Sequence, residues 1–229
     1  MKRIAIAACL LLVLGAPVAA HAQDFFFKPH DRVMFLGDSI TEQYQYSTDI
    51  ELYLTTRFPK GDMLFMNAGI GGDVAHGGSA RFAQHVLAEK PTAVTINFGM
   101  NDGGYGGFNA DANKRYVEHT EKMLQAAKEA GVRVALLSPN AVDRRVQERF
   151  KLYLETQKQF YAPLRELAEK YHDTFVDQYA VTRTALEKME AGGAKNVIPF
   201  GDGFHTAPSG GLFMAHAILV GMHAPSLVS

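Results

Sequence analysis

Four short clusters of glycine and polar side chains combine the groups that acyl transfer needs. They are residues 37–41 (GDSIT), 67–73 (NAGIGGD), 99–102 (GMND) and 202–205 (DGFH). Each cluster alone is ordinary turn chemistry, since glycine, aspartate and asparagine are common turn residues. Together they supply a serine hydroxyl, a histidine, a carboxylate and several hydrogen-bond donors, which is the set of groups found in serine hydrolases.

A serine hydroxyl becomes an effective nucleophile only when a neighbouring base takes its proton. His205 can be the base for Ser39 if its Nε2 atom faces the hydroxyl. Asp202 lies three residues earlier, where it can accept from Nδ1–H and fix the tautomer. The oxyanion of the tetrahedral intermediate needs preorganised donors. The candidates are the Ser39 backbone N–H, a glycine N–H of residues 67–73 and the Asn101 side-chain amide.

In this order the four clusters resemble the sequence blocks of the SGNH or GDSL-type hydrolase family. The resemblance covers nearly all of the chain that follows its N-terminal segment. It implies that Ser39 is the nucleophile and that Asp202 and His205 complete a catalytic triad. It also implies an oxyanion hole formed by Ser39, Gly72 and Asn101, where Gly72 is placed by aligning the second block on its closing Gly-Asp.

The second block leaves an alternative open, because Gly69 and Gly71 lie close to Gly72 in the sequence. The chain departs from many members of the family at Thr206-Ala207-Pro208, where proline often follows the histidine directly. This departure concerns the shape of a loop and leaves His205 in its implied role. The resemblance further implies a three-layer, flavodoxin-like α/β fold with a central five-stranded parallel sheet.

The apolar pattern independently predicts an α/β domain, because short apolar runs alternate with segments of helical spacing. The runs are apolar on consecutive positions, as in strands covered on both faces of a parallel sheet. They are Arg32–Leu36, Met63–Met66, Ala93–Phe98, Val132–Leu137 and Thr174–Val176. Ligands of such sheets bind at the carboxyl ends of the strands, and three of the four clusters follow an apolar run.

The helical segments have recognisable ends. One apolar face runs from Tyr116 to Ala127, and Gly131 follows where a glycine commonly ends a helix. A second runs from Phe150 to Tyr171 and is predicted to be interrupted at Pro163. Residues 209–222 are predicted to form a final, largely buried helix. No linker or repeat divides these elements, so residues 23–229 are predicted to form one domain.

The N-terminus has the pattern of a secretory signal peptide over residues 1–22. Lys2 and Arg3 precede the apolar run Ile4–Leu14, and Ala20-His21-Ala22 fits a cleavage site. The apolar run is too short for a membrane-spanning helix, so no stable membrane anchor is expected. The only cysteine, Cys9, lies too early in the run to favour the alternative of a lipoprotein. We therefore expect export to the periplasm or the medium.

Composition excludes several functions. The chain has 229 residues, 47% of them hydrophobic and 21% charged, which favours a globular enzyme-sized domain over disorder. A formal net charge of −1 without a basic stripe argues against a nucleic-acid partner. Removal of Cys9 with the signal would leave no thiol, and the histidines do not fall at metal-ligand spacing. We therefore expect no metal and no cofactor.

The predicted function is hydrolysis of a carboxylic ester through an acyl-enzyme, with short-chain acyl or acetyl-carbohydrate esters as substrates. A lysophospholipase or thioesterase acting on lipid esters is the main alternative. A non-catalytic carbohydrate-binding relative is a further alternative, although binding alone would not require Ser39, Asn101, Asp202 and His205 together. A flavodoxin-like phosphate binder is disfavoured by the acidic Asp38 and Glu42 at the first turn. Ser39 alone could also be only the N-cap of a helix.

Overall fold

The computed structural model describes residues 24–194 and 196–225, so the predicted signal peptide lies outside the described residues. Five parallel strands form one sheet in the order β2-β1-β3-β4-β5. The strands are β1 (Arg32–Gly37), β2 (Leu64–Gly69), β3 (Ala93–Asn97), β4 (Arg133–Leu137) and β5 (Thr174–Val176). This is the flavodoxin-like strand order, and the prediction of a five-stranded parallel sheet is confirmed.

Eight α-helices in the described residues connect and cover these strands. They are α1 (Ser39–Glu42), α2 (Gln45–Arg57), α3 (Ala75–His85), α4 (Ala110–Glu129), α5 (Phe150–Tyr161), α6 (Pro163–Tyr171), α7 (Gln178–Ala191) and α8 (Pro208–Gly221). Helix α4 packs against α3 and α6, whereas α8 packs against α2 and α7. Helices cover both faces of the sheet, which gives the three-layer arrangement that was predicted.

The helix ends follow the sequence signals. Helix α4 stops at Glu129, and Gly131 adopts a left-handed conformation with φ of 69°. The segment before β5 is divided into α5 and α6, and Pro163 is the first residue of α6. The final helix begins at Pro208, one residue before its predicted start. The apolar spacing did not identify α2, α3 and α7, and α3 carries two glycines that lower its helix propensity.

Strand β2 corrects one expectation. It was predicted to be covered on both faces, but it lies at the edge of the sheet, and Leu64 is 46% exposed. It also starts one residue later than the apolar run and continues through Asn67 to Gly69. The second polar cluster therefore overlaps the strand, in which no residue is fully buried.

The end of β1 is packed so closely that only glycine fits at residue 37. A Cβ atom on Gly37 would lie 2.1 Å from Thr41 Oγ1 and 2.7 Å from the Asn97 carbonyl oxygen. Gly37 pairs with Gly69 of β2 and with Asn97 of β3. The absence of a side chain thus brings α1 directly against the carboxyl ends of three adjacent strands.

Asp38, not Ser39, is the N-cap of α1. Its Oδ1 atom accepts a hydrogen bond of 3.0 Å from the Ile40 amide, and Ser39 is the first residue of the helix. Asp38 is only 2% exposed. Burial raises its pKa from 3.8 to about 7, against the opposing effect of the Ile40 amide and with help from the charges of Asp102 and Asp73.

The stability of the protein is expected to depend on the protonation of Asp38. The carboxyl group has a pKa of 3.8 in the unfolded chain and about 7 in the folded protein, so it binds its proton more tightly when the protein is folded. The stability that this group contributes is therefore lost as pH rises between those two values. Asp38→Asn keeps a capping side chain but cannot ionise. We expect the variant to gain stability relative to the wild type by up to about 1.4 kcal/mol per pH unit across that window. Urea unfolding over the same range measures the difference, and parallel pH profiles of the two proteins would contradict the raised pKa.

Candidate functional site

A continuous hydrogen-bonded chain joins Asp202, His205 and Ser39. Ser39 Oγ lies 2.7 Å from His205 Nε2, and His205 Nδ1 lies 2.7 Å from Asp202 Oδ2. Ser39 stands at the carboxyl end of β1, whereas the other two residues lie in the loop before α8. The first and fourth sequence clusters, 166 residues apart from serine to histidine, thus meet in one site.

The Asp202 carboxylate is arranged to hold the imidazole in one tautomer. Its Oδ1 atom accepts from the amides of Phe204 at 3.1 Å and His205 at 2.8 Å. Burial alone would raise the pKa of Asp202, but the hydrogen bonds from the His205 ring and these two amides outweigh it and lower the pKa. An ionised carboxylate can only accept, so Nδ1 carries the proton and the Nε2 lone pair faces Ser39.

The loop that carries the histidine is fixed by close packing against α5. Gly203 has a φ of 104°, and a Cβ atom there would lie 2.3 Å from the Phe150 ring. The Gly203 carbonyl accepts from the Asp143 amide at 2.7 Å, and Gln147 Nε2 donates to the Asp202 carbonyl at 2.7 Å. The side chains of His205 and Asp202 nevertheless remain 29% and 44% exposed, so the site is open to solvent.

The second cluster ties β2 to α1, the helix that begins at Ser39. Asn67 Nδ2 donates to the Thr41 carbonyl at 2.7 Å, and Asn67 Oδ1 accepts from the Gly69 amide at 2.8 Å. A Cβ atom on Gly69 would lie 2.2 Å from the Glu42 amide nitrogen. Gly69 is therefore a packing position whose N–H group is already engaged.

Gly71 and Gly72 differ from Gly69 in their surroundings. A Cβ atom on Gly71 would lie 2.8 Å from Glu42 Oε2, and one on Gly72 would have no atom within 4 Å. Gly72 adopts a left-handed conformation with φ of 74°. Gly72 is exposed, and the space beside its Cα atom is open.

The third cluster adjoins the second through Asn101. Asn101 Nδ2 donates to the carbonyl of Asp73 at 2.9 Å. Asp73 directly follows Gly72 in the chain. Asp102 accepts from the Ala75 amide at 3.0 Å and the Gly99 amide at 3.1 Å. Burial, opposed by these amides, raises the pKa of Asp102 to about 6. The Asp102 carboxylate thus ties the loop after β3 to the start of α3.

Arg81 is a residue of the site region that the sequence did not point to. Its guanidinium donates to Asp73 Oδ2 at 2.9 Å, to the Ala68 carbonyl at 2.8 Å and to the Gly37 carbonyl at 3.1 Å. It therefore clamps the ends of β1 and β2 to the loop after β2. Arg81 lies on α3 outside every motif, so only the tertiary structure reveals this contact.

Tyr105 joins the third and fourth clusters. Its Oη atom donates to Asn101 Oδ1 at 2.8 Å, and its ring centroid lies 4.8 Å from that of Phe204. Phe204 in turn packs on the His205 ring at 4.2 Å. The glycine-rich loop around Tyr105 thus contacts both clusters.

Two histidines that are distant in sequence also meet, outside the hydrogen-bonded chain from Asp202 to Ser39. The rings of His76 and His119 lie 4.5 Å apart, and Ser79 Oγ lies 2.8 Å from His119 Nδ1. Within the part of the chain that the structure describes, no three histidine, cysteine or acidic side chains come together as a metal site. No helix among the described residues is long and apolar enough to cross a membrane.

Solved structures of other proteins share this fold. A gut microbial diltiazem-metabolizing enzyme superposes with a TM-score of 0.75 and 29% identity over 86% of this chain, which spans only 47% of that protein. A variant of an acetylxylan esterase from Geobacillus stearothermophilus superposes with a TM-score of 0.72 and 20% identity, over 88% of this chain and 99% of that protein. The second likeness extends over almost the whole of the compared protein and shows a common fold.

Sequence comparison identifies related esterases. Esterase TesA of Pseudomonas aeruginosa is 30% identical over 161 residues, which are 67% of this chain and 74% of that protein. The acetylxylan esterase of Geobacillus stearothermophilus is 22% identical over 211 residues, 82% of this chain and 92% of that protein. The family model for GDSL-like lipases and acylhydrolases matches residues 35–210, a span that includes all four clusters. The chain therefore belongs to the GDSL-like lipase/acylhydrolase family and is a carboxylic ester hydrolase.

Proposed function

We propose that the protein hydrolyses carboxylic esters through an acyl-enzyme formed on Ser39. The observation that carries this proposal is the unbroken chain from Asp202 through His205 to Ser39, with both side-chain distances at 2.7 Å. His205 Nε2 takes the hydroxyl proton as Ser39 Oγ attacks the ester carbonyl carbon. The imidazolium that forms is stabilised by the ionised Asp202, whose two oxygens both accept hydrogen bonds from His205.

The tetrahedral intermediate then collapses and the alcohol leaves. His205 gives its proton to the departing oxygen, so the alcohol is released neutral and the acyl group stays on Ser39. In the second half, His205 takes a proton from water, the resulting hydroxide attacks the acyl carbonyl, and the proton returns to Ser39 Oγ. The products are a carboxylic acid and an alcohol, and the enzyme returns to its starting state.

The proposed oxyanion hole consists of the Ser39 N–H, the Gly72 N–H and the Asn101 side-chain amide. The open surroundings and left-handed backbone of Gly72 support its assignment over Gly69, whose amide is engaged by Asn67. The hydrogen bond from Asn101 to Asp73 supports the proximity of the two donors. Donors fixed in place before the reaction need no reorganisation as the negative charge develops.

Replacement of the nucleophile tests the mechanism. Ser39→Ala is expected to lower p-nitrophenyl acetate hydrolysis by at least about 10⁴-fold, because no other group can take up the acyl chain. Ser79→Ala is the matched control, since Ser79 Oγ also lies 2.8 Å from a histidine nitrogen but outside the proposed site. Initial rates of the purified proteins provide the measurement.

The same variants distinguish an esterase from a carbohydrate-binding protein that keeps the fold. A fluorophosphonate probe should label the wild type and the Ser79→Ala variant and leave Ser39→Ala unlabelled, because the probe reacts with activated serines. Full ester hydrolysis by Ser39→Ala would overturn the mechanism. Equal labelling of all three proteins would show that another residue is the nucleophile.

We propose short acyl esters, including acetylated carbohydrates, as the substrate class. Two features support a site that accepts a bulky alcohol next to a small acyl group. The side chains of His205 and Asp202 are partly exposed, and Tyr105 is the only large side chain of the 103–107 loop. The similarity to an acetylxylan esterase is compatible with this class. Lipid esters and thioesters remain the competing class, and the similarity to esterase TesA is neutral between the two.

A series of acyl chain lengths tests the substrate class. We expect kcat/KM on p-nitrophenyl esters to be highest for acetate or butyrate and to fall by roughly tenfold or more at palmitate, because a short open site does not bury a long chain. Acetate release from acetylated xylan should exceed fatty-acid release from lysophosphatidylcholine. A preference for palmitate, or faster hydrolysis of the lysophospholipid, would favour the lipid-ester class instead.

We further propose that the protein is exported, on the basis of the sequence of residues 1–22. When the full chain is expressed in a bacterial host, N-terminal sequencing of the protein from the periplasm or the medium should begin at Gln23. Intact Met1 on protein confined to the cytoplasm would contradict export, and a lipid-modified Cys9 would instead identify a lipoprotein.

A further inference from the structure

Tyr105 occupies an unusual backbone position that points its hydroxyl at a group of the proposed oxyanion hole. It has a φ of 58°, a left-handed conformation that is uncommon for a bulky residue. Strained positions of this kind persist only where surrounding contacts hold them, and they cluster at functional sites. Here the ring packs between Phe204 at 4.8 Å and Tyr153 at 5.6 Å.

The loop that carries Tyr105 is held by α5. A Cβ atom on Gly103 would lie 2.3 Å from Tyr153 Oη, so the backbone runs directly against that side chain. Thr156 Oγ1 donates to the Gly106 carbonyl at 2.9 Å on the other side of the tyrosine. The loop is therefore fixed on both sides of Tyr105, although it contains four glycines in five residues.

The contacts of Asn101 define which way its amide faces. A backbone carbonyl can only accept, so the Asp73 oxygen, 2.9 Å away, must face the amide nitrogen. The amide oxygen then faces Tyr105 Oη at 2.8 Å, and the tyrosine must be the donor. The second N–H of the amide finds no acceptor within residues 24–194 and 196–225, and it is the group that could bind an oxyanion.

We propose that Tyr105 is a positioning residue that locks the Asn101 amide by donating a hydrogen bond to its oxygen. This inference rests on the proposed function, because it assigns Tyr105 a role through the oxyanion donor. With both Oδ1 and one N–H engaged, the amide plane cannot rotate freely, and the remaining N–H is held in one direction before substrate arrives. Donation to the amide oxygen also polarises the amide and strengthens its remaining N–H as a donor.

The surroundings of Tyr105 favour its role as a donor. Burial, assisted by the negative charges of Asp38 and Asp202 and opposed by Arg149, raises the pKa of the phenol. The hydroxyl therefore keeps its proton over the whole range in which an ester hydrolase works. The ring also packs on Phe204, which contacts the His205 ring, so one side chain adjoins both the donor and the base.

The experiment is a double-mutant cycle of Tyr105→Phe and Asn101→Ala, with p-nitrophenyl acetate as substrate. Phenylalanine keeps the ring and removes only the hydroxyl. We expect Tyr105→Phe to lower kcat by about fivefold to tenfold with little change in KM, the effect of one hydrogen bond felt in the transition state. In the Asn101→Ala background the same change should have an effect of less than about twofold, because its partner is gone.

Tyr171→Phe is the matched control, since it also removes a hydroxyl that donates to a side-chain oxygen, Glu121 Oε1 at 3.0 Å, away from the site. It should keep the wild-type kcat. Thermal melts of all variants check that a lower rate does not reflect unfolding.

The outcomes separate this inference from the proposed function. Wild-type kcat in Tyr105→Phe, or an equal loss in both backgrounds, would overturn the role of Tyr105 while Ser39→Ala stays inactive. If Asn101→Ala had the full wild-type rate, Asn101 would not be an oxyanion donor. Both the proposed composition of the oxyanion hole and the proposed role of Tyr105 would then be wrong. If Ser39→Ala were fully active, the proposed mechanism itself would fail.

Discussion

The rest of the structure must hold Ser39 and His205 close enough for the hydrogen bond between them. This bond joins groups 166 residues apart, and holding two such distant segments in register costs conformational entropy that local contacts must offset. The parallel sheet contributes by holding Ser39 at the carboxyl end of β1, which lies between β2 and β3. Packing of α8 on α2 also contributes, and it is close enough that a Cβ atom on Gly211 would lie 2.8 Å from Gln45 Cβ. Thr206 Oγ1 also donates to Gln43 Oε1 at 3.0 Å, directly after the histidine.

Three carboxyl groups near the site, those of Asp73, Asp102 and Asp38, lie close together but have different surroundings. Asp73 is paired with Arg81, with the two side chains 2.9 Å apart. Asp102 receives two amide hydrogen bonds, and burial still raises its pKa to about 6. Asp38 receives one hydrogen bond and is almost completely buried, and its pKa rises to about 7. For Asp38 and Asp102, burial is the main cause of the raised pKa, and the amide hydrogen bonds oppose it.

Much of the fold could be predicted from the sequence, because apolar runs indicate buried segments, whereas glycine and proline indicate where helices begin or end. Gly131 and Pro163 mark observed boundaries for these reasons. The apolar pattern alone could not predict the edge position of β2, since strand order is a property of the whole sheet. Within the candidate site, the motif residues could be identified because each carries a group that acyl transfer requires. Arg81 and Tyr105 could not be assigned their contacts, because their partners are reached only through the tertiary structure.

Gly37 and Ser39 are two residues apart, yet the structure subjects them to different kinds of evolutionary constraint. Ser39 is partly exposed, so its replacement removes a chemical group and disturbs little packing. Gly37 contributes no reacting group, but any larger residue there would collide with Thr41 and the backbone of β3. Under the proposed mechanism, activity depends on the first position, whereas folding depends on the second. A descendant that loses its catalytic role could therefore change the serine freely while keeping the glycine, so the glycine would persist longer as a trace of common ancestry.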